Sequence, residues 1–120
     1  MEKCEKLLAK TEQMKMYLQR LREIYEEARS TGKEFDFFTE IKPFVDEAQS
    51  FANEWAKEAI LWVEEKRPKN LFPQQIEAAK DNFNQICPQA FFAKTSYSRF
   101  KHHFHSIRYI LEKLLAELQQ

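Results

Sequence analysis

The sequence predicts an all-α protein, folded as an antiparallel up-and-down four-helix bundle. Three features of the 120 residues point there. Apolar residues recur at alternating steps of three and four along four separate runs, the spacing of one helix face. Short breaker segments rich in Pro, Gly, Ser and Thr divide the runs. No stretch alternates with period two, so no strand is expected. A helix with one apolar stripe must bury it against a neighbour, and four such helices with short connections share one core most simply as a bundle. A two-chain coiled coil would also suit long heptads. Against it stand Trp55, Trp62 and several Phe beside the seam, which are bulky for a two-stranded interface.

The first helix is expected over roughly 2–31. Its stripe reads Cys4, Leu7, Thr11, Met14, Leu18, Leu21, Tyr25 and Ala28, widened by Leu8 and Ile24. Ser30-Thr31-Gly32 ends it, with Gly32 free to take the left-handed conformation that closes helices. The second helix is expected over roughly 37–66, with Asp36 as N-cap and the stripe Ile41, Val45, Ala48, Ala52, Trp55, Ala59, Trp62. Pro43 removes an amide early in this run, so the helix either kinks there or follows a short leading segment. Lys66-Arg67-Pro68-Lys69-Asn70-Leu71-Phe72-Pro73 is a breaker, and Pro73 suits the first position of a third helix. That helix is expected over 73–87, reaching 92 if the chain stays helical past Pro88, with Ile76, Ala79, Phe83, Ile86 and then Ala90 inward. Thr95 or Ser96 caps a fourth helix over roughly 96–118, whose stripe is Tyr97, Phe100, Phe104, Ile107, Leu111, Leu114 and Leu118. One domain spanning 1–120 is the natural count at this length.

Composition excludes much. With 19 Lys+Arg against 19 Asp+Glu the formal net charge is zero, unlike a dedicated nucleic-acid binder. One glycine leaves no phosphate-cradling loop, dinucleotide fingerprint or nucleophile elbow. The charged start Met1-Glu2-Lys3-Cys4-Glu5-Lys6 lacks the apolar core of a secretory signal, and no window approaches the ~18 apolar residues of a membrane span. Two cysteines in no paired motif fit a reducing cytoplasm. No cofactor and no membrane association are expected.

Several strings are distinctive. Asp36-Phe37-Phe38-Thr39-Glu40-Ile41-Lys42-Pro43-Phe44, the Trp55…Trp62 pair, Arg67-Pro68-Lys69-Asn70-Leu71-Phe72-Pro73-Gln74-Gln75-Ile76 and Gln89-Ala90-Phe91-Phe92-Ala93-Lys94-Thr95-Ser96-Tyr97-Ser98-Arg99-Phe100 resemble segments of the YppE-like family of small bacterial proteins. The resemblance covers roughly residues 35–111. It implies an all-helical up-and-down bundle and no activity, since the family is one of unknown function, and it carries over no functional residue.

Read for chemistry, the residues offer few candidates. His102 and His105, three apart on one helix face, are weak candidates for a transition metal; the plainer reading is two surface histidines on a basic helix. No Glu-x-x-His pair exists for a di-iron site. In the expected topology Cys4 and Cys87 stand roughly 20 Å apart, beyond disulfide reach, and both read as small buried apolar residues. Carboxylate pairs such as Glu26-Glu27 and Glu64-Glu65 fall on polar helix faces rather than in a convergent, desolvated pair. No catalytic constellation emerges, and the chain reads as a non-enzyme.

Charge and aromatic residues are distributed unevenly. Residues 33–65 carry nine acids against three bases, a net −6, whereas residues 94–120 carry five bases against two acids, a net +3. An acidic second helix and a basic fourth would attract wherever they are neighbours; otherwise Arg99, Lys101 and Arg108 face an anionic partner. In an antiparallel bundle the first and third connections lie at one end. They bring Phe35, Phe37 and Phe38 together with Phe91, Phe92 and Tyr97, with Lys33, Lys94 and Arg99 beside them. Such a cluster is either a basic-rimmed docking patch or an aromatic plug closing the core. The expected function is that of a cytoplasmic interaction protein with a protein or peptide partner, monomeric, without nucleic acid. The alternative is a helical protein binding a metal or small ligand through the His102/His105 face. A third reading joins helix four to the Lys66-Arg67-Pro68-Lys69 loop as a weak RNA-binding surface, against which the zero net charge counts.

Overall fold

The structure is a computed structural model describing residues 2–120, with side chains from residue 4 onward. Met1 and the side chains of Glu2 and Lys3, part of the charged start, lie outside the described residues. The order is α1 (Glu2–Thr31), one π-helical turn (Phe37–Ile41), α2 (Lys42–Lys66), α3 (Pro73–Gln89) and α4 (Tyr97–Leu118). At ~1.5 Å per residue α1 is about 45 Å long. That matches the longest dimension of the 45 × 27 × 19 Å molecule, so α1 runs its whole length.

Each helix packs on its neighbours in sequence, and α4 returns against α1. Contacts fix the directions. Early α1 meets late α2 through Lys10–Glu58, while Tyr17, further along α1, meets Phe44 and Phe51 early in α2. Likewise Tyr25 meets Phe100, and Lys15 lies 3.6 Å from Glu112. Alternate helices are therefore diagonal. The expected attraction between acidic α2 and basic α4 is not realised, because these two helices occupy opposite corners and do not pack appreciably.

The stripes form the core. Leu7, Met14, Leu18, Leu21, Trp55, Ile76, Phe83, Ile86, Ile107, Leu111 and Leu114 are all buried. Three stripe ends depart from expectation: Cys4 is only half-buried, Tyr97 stands 51 % exposed, and Trp62 is half-buried while its neighbour Val63 takes the inward place. Among the described residues the one buried polar residue is Thr11. Its hydroxyl donates to the Leu7 carbonyl (2.7 Å) and accepts from the Trp55 indole N–H (3.0 Å), so neither polar group is left unsatisfied.

The helix ends follow local chemistry. Gly32 closes α1 at φ +69, donating to the Ala28 carbonyl at 3.0 Å. Asp36 caps the π turn: its carboxylate accepts from the Thr39 N–H (2.8 Å), and Glu40 reaches back to the Asp36 N–H (2.9 Å). That short leading turn runs directly into α2 and places Pro43 in its first turn, where a missing amide costs no intrahelical bond. Ser96 caps α4 by accepting from the Arg99 N–H at 3.3 Å.

Pro88 is accommodated inside α3. A residue at 88 would normally donate to the carbonyl of Asn84, and proline has no N–H to give. The Gln49 side-chain amide of α2 donates to that carbonyl instead, at 2.9 Å, and the Asn84 amide donates to Asn53 Oδ1 at 3.0 Å. After Pro88 the chain tightens into successive three-residue turns, Phe91 N–H to the Pro88 carbonyl and Phe92 N–H to the Gln89 carbonyl. Among the described residues no helix is long and apolar enough to cross a membrane.

Candidate functional site

The end of the bundle where α1 and α3 finish gathers the six aromatic residues of the two connections, and the fold divides them in two. Phe91 is buried. Its ring meets Phe35 edge-on at 5.1 Å and Phe44 at 5.8 Å, and Phe44 in turn meets Tyr17 at 6.0 Å. Phe35 closes this stack from outside, half-buried, with the Lys33 ammonium 4.5 Å from its ring centroid. These residues are the plug.

The others face solvent. Phe38 is 76 % exposed and packs edge-on against Phe37 at 5.1 Å, itself 53 % exposed. Phe92 and Tyr97 are also about half exposed. The π turn accounts for the first pair: Asp36 and Glu40 hold its backbone, Ile41 is its inward anchor, and the rings at 37 and 38 are directed away. For Phe91 and Phe92 the tight turn after Pro88 puts adjacent residues on opposite sides, one inward and one outward. The turn's own hydrogen bonds hold the Asp36 and Glu40 carboxyls below their usual range: the Thr39 N–H for Asp36, the Asp36 N–H for Glu40.

The rim is mixed in charge. Lys33 sits between Glu27 (3.6 Å) and Glu40 (3.4 Å), which spend its charge locally. Lys94 and Arg99 are exposed at the start of α4, and among the described residues neither lies within ion-pair distance of a carboxylate. Tyr97 is covered by the Arg29 guanidinium, 4.3 Å from its centroid. Sequence reasoning missed that stacking, and the signal for it was only that Arg29 falls in the last turn of the helix that α4 packs against.

The remaining candidates are held apart. Cys4 and Cys87 are both free thiols. Cys87 is fully buried, and burial pushes its thiol up to about 12, so it carries no thiolate near neutrality. His102 and His105 are exposed on α4. The Arg108 guanidinium lies 3.2 Å from His105 Nδ1, setting a fixed cation where a metal ligand would need its lone pair. Among the described residues no third His, Cys, Asp or Glu joins them in a metal-holding group. His103 turns half inward, and burial lowers its pKa below the usual imidazole value.

Comparison with known proteins places this geometry. Residues 11–118 match the model of a bacterial domain of unknown function, DUF1798. The chain belongs to the DUF1798 family. Among its relatives the uncharacterized protein YppE of Bacillus subtilis (strain 168) is 35% identical over 112 residues, spanning 93% of this chain and 91% of the relative. The crystal structure of a Listeria innocua protein of unknown function superposes with a TM-score of 0.93 at 34% identity, covering 98% of this chain and 94% of that one. The crystal structure of Bacillus subtilis YppE gives 0.91 at 34% identity over 96% and 94%. The four-helix fold is therefore that of DUF1798, and the resemblance drawn from residues 35–111 extends over nearly the whole chain.

Proposed function

We propose that this DUF1798 member is a non-enzymatic, cytoplasmic interaction protein that docks a peptide or protein partner, as a monomer, on the aromatic end of its bundle. The observation that carries the reading is the division of the end cluster. Phe35 and Phe91 close the core, so Phe37, Phe38, Phe92 and Tyr97 are not needed as a plug, yet each remains more than half exposed. Exposed aromatic rings at one end of the bundle, two of them in mutual contact, supply rigid apolar contact area at low entropic cost, the usual make-up of a binding hot spot. Lys94 and Arg99 beside them favour a partner with acidic residues flanking its apolar anchors. The buried thiol of Cys87 and the solvated carboxylates at Glu26 and Glu64-Glu65 supply none of the desolvated, convergent groups that acid–base or nucleophilic chemistry uses.

The test pairs Phe38→Ala with Phe92→Ala. Because both rings are exposed, the double variant should unfold within ~1 kcal/mol of the parent. A partner captured from the native host by the parent should be lost to the variant. Equal recovery of that partner by both proteins refutes this surface.

A further inference from the structure

A second surface runs along the side of the bundle, where α1 packs on α4. Arg22, Arg29, Lys101 and Arg108 line it, with His105 between them. Their cations lie on aromatic rings. Arg29 covers Tyr97 at 4.3 Å, and Arg22 and Arg108 both approach the Phe104 ring at 5.5 Å. Lys101 reaches within 5.9 Å of Tyr97. Ring contact fixes long side chains that would otherwise sample many rotamers, so the charges form an ordered array.

This array is short of counter-charge. Glu26 is the one carboxylate lining the groove, and Arg22 Nε holds it at 3.2 Å. Among the described residues Arg29, Lys101 and Arg108 lie within ion-pair distance of no carboxylate. The excess of acids that balances the chain's charge is on α2, which packs on α1 and α3 but stands diagonal to α4.

We infer that the α1/α4 side face is a docking strip for an acidic peptide segment. Guanidinium forks held open to solvent match carboxylates in two-point geometry. From Tyr97 to Arg108 the helix rises about 17 Å, which spans about five residues of extended chain. Single-stranded nucleic acid fits less well: its bases need bare ring faces to stack on, whereas Phe104 is buried beside two guanidinium groups and Tyr97, though half exposed, already carries Arg29. The strip shares Tyr97 with the aromatic end but uses none of Phe37, Phe38 and Phe92, so substitutions at Phe38 and Phe92 test the two surfaces separately.

A fluorescein-labelled hexaglutamate peptide is the probe, followed by anisotropy and by backbone amide shifts of the full chain. Saturable binding is expected at 20 mM salt, weakening about tenfold or more by 300 mM as exposed charges are screened. Shifted amides should cluster on residues 22–29 and 97–108. The triple variant Arg29→Glu, Lys101→Glu, Arg108→Glu should lose binding about tenfold or more, whereas Phe38→Ala with Phe92→Ala should not change it. Should the triple variant lose its helical signal, the amide map of the parent protein decides alone. Absence of saturable binding, shifts centred elsewhere, a folded triple variant that binds undiminished, or tighter binding of a hexauridylate than of the peptide would each overturn the inference.

Discussion

Trp55→Ala removes the largest side chain the core encloses completely. Its indole is at the α1/α2 contact and donates to Thr11 Oγ1 at 3.0 Å. Truncation to alanine forfeits the transfer energy of the ring and leaves a cavity that rigid helices refill only partly, a loss of about 3–5 kcal/mol. For 120 residues the unfolding entropy near the midpoint is about 0.25 kcal/mol/K, so Tm should fall by about 12–20 °C. Thr11→Val isolates the polar part. It keeps the shape at position 11 but leaves the indole N–H buried without an acceptor, at a cost of about 1–3 kcal/mol. In the Trp55→Ala background that donor is gone, and Thr11→Val should cost measurably less. Urea titrations and thermal melts followed by circular dichroism measure all four proteins of the cycle. A loss below about 1 kcal/mol for Trp55→Ala, or strict additivity of the two substitutions, refutes this account of the core.

Two further outcomes follow from particular contacts. Gln49→Ala should cost about 1 kcal/mol by stranding the Asn84 carbonyl that Pro88 cannot satisfy, and the cost should largely vanish in a Pro88→Ala background, where the residue at 88 again has an N–H to give; equal urea-midpoint losses in both backgrounds would contradict it. Stability should fall from pH 7 to pH 5.5, because burial lowers the pKa of His103, and desolvation with the nearby Arg108, Lys101 and Arg22 lowers that of His105, both from 6.5. The unfolded chain then takes up protons in this window before the folded one does, and the difference favours unfolding. The lowered pKa values of Asp36 and Glu40 act in the same sense only below their ordinary values of 3.8 and 4.5, outside this range. A urea midpoint that holds or rises between pH 7 and pH 5.5 would sink the assignment, and His103→Gln with His105→Gln should flatten the profile.

Helix number, stripe composition and helix termination were legible along the chain because each depends on a few neighbouring residues. The three-four spacing named Leu7, Leu18, Trp55, Phe83 and Leu111 as core, and all are buried. Gly32, Asp36 and Ser96 act where local hydrogen bonding places them, whatever packs nearby. The candidate patch was legible as a set of residues and not as a surface. Phe91 and Phe92 are equivalent in sequence, and only a three-residue turn after Pro88 sends one into the core and the other into water. Tyr97 continues a perfect stripe, yet it stands half exposed, covered by Arg29.

The zero net charge shows the same division. Sequence alone determined that an acidic second helix is balanced by a basic fourth together with the smaller positive excess of the rest of the chain, since charge is counted residue by residue. Only the tertiary structure decided that the two stand on opposite corners, because helix order around a core is set by how non-local apolar faces fit together. Surface charges contribute too little per pair to override that fit. The cancellation is therefore arithmetical rather than spatial, and the basic side of the molecule is left open to solvent.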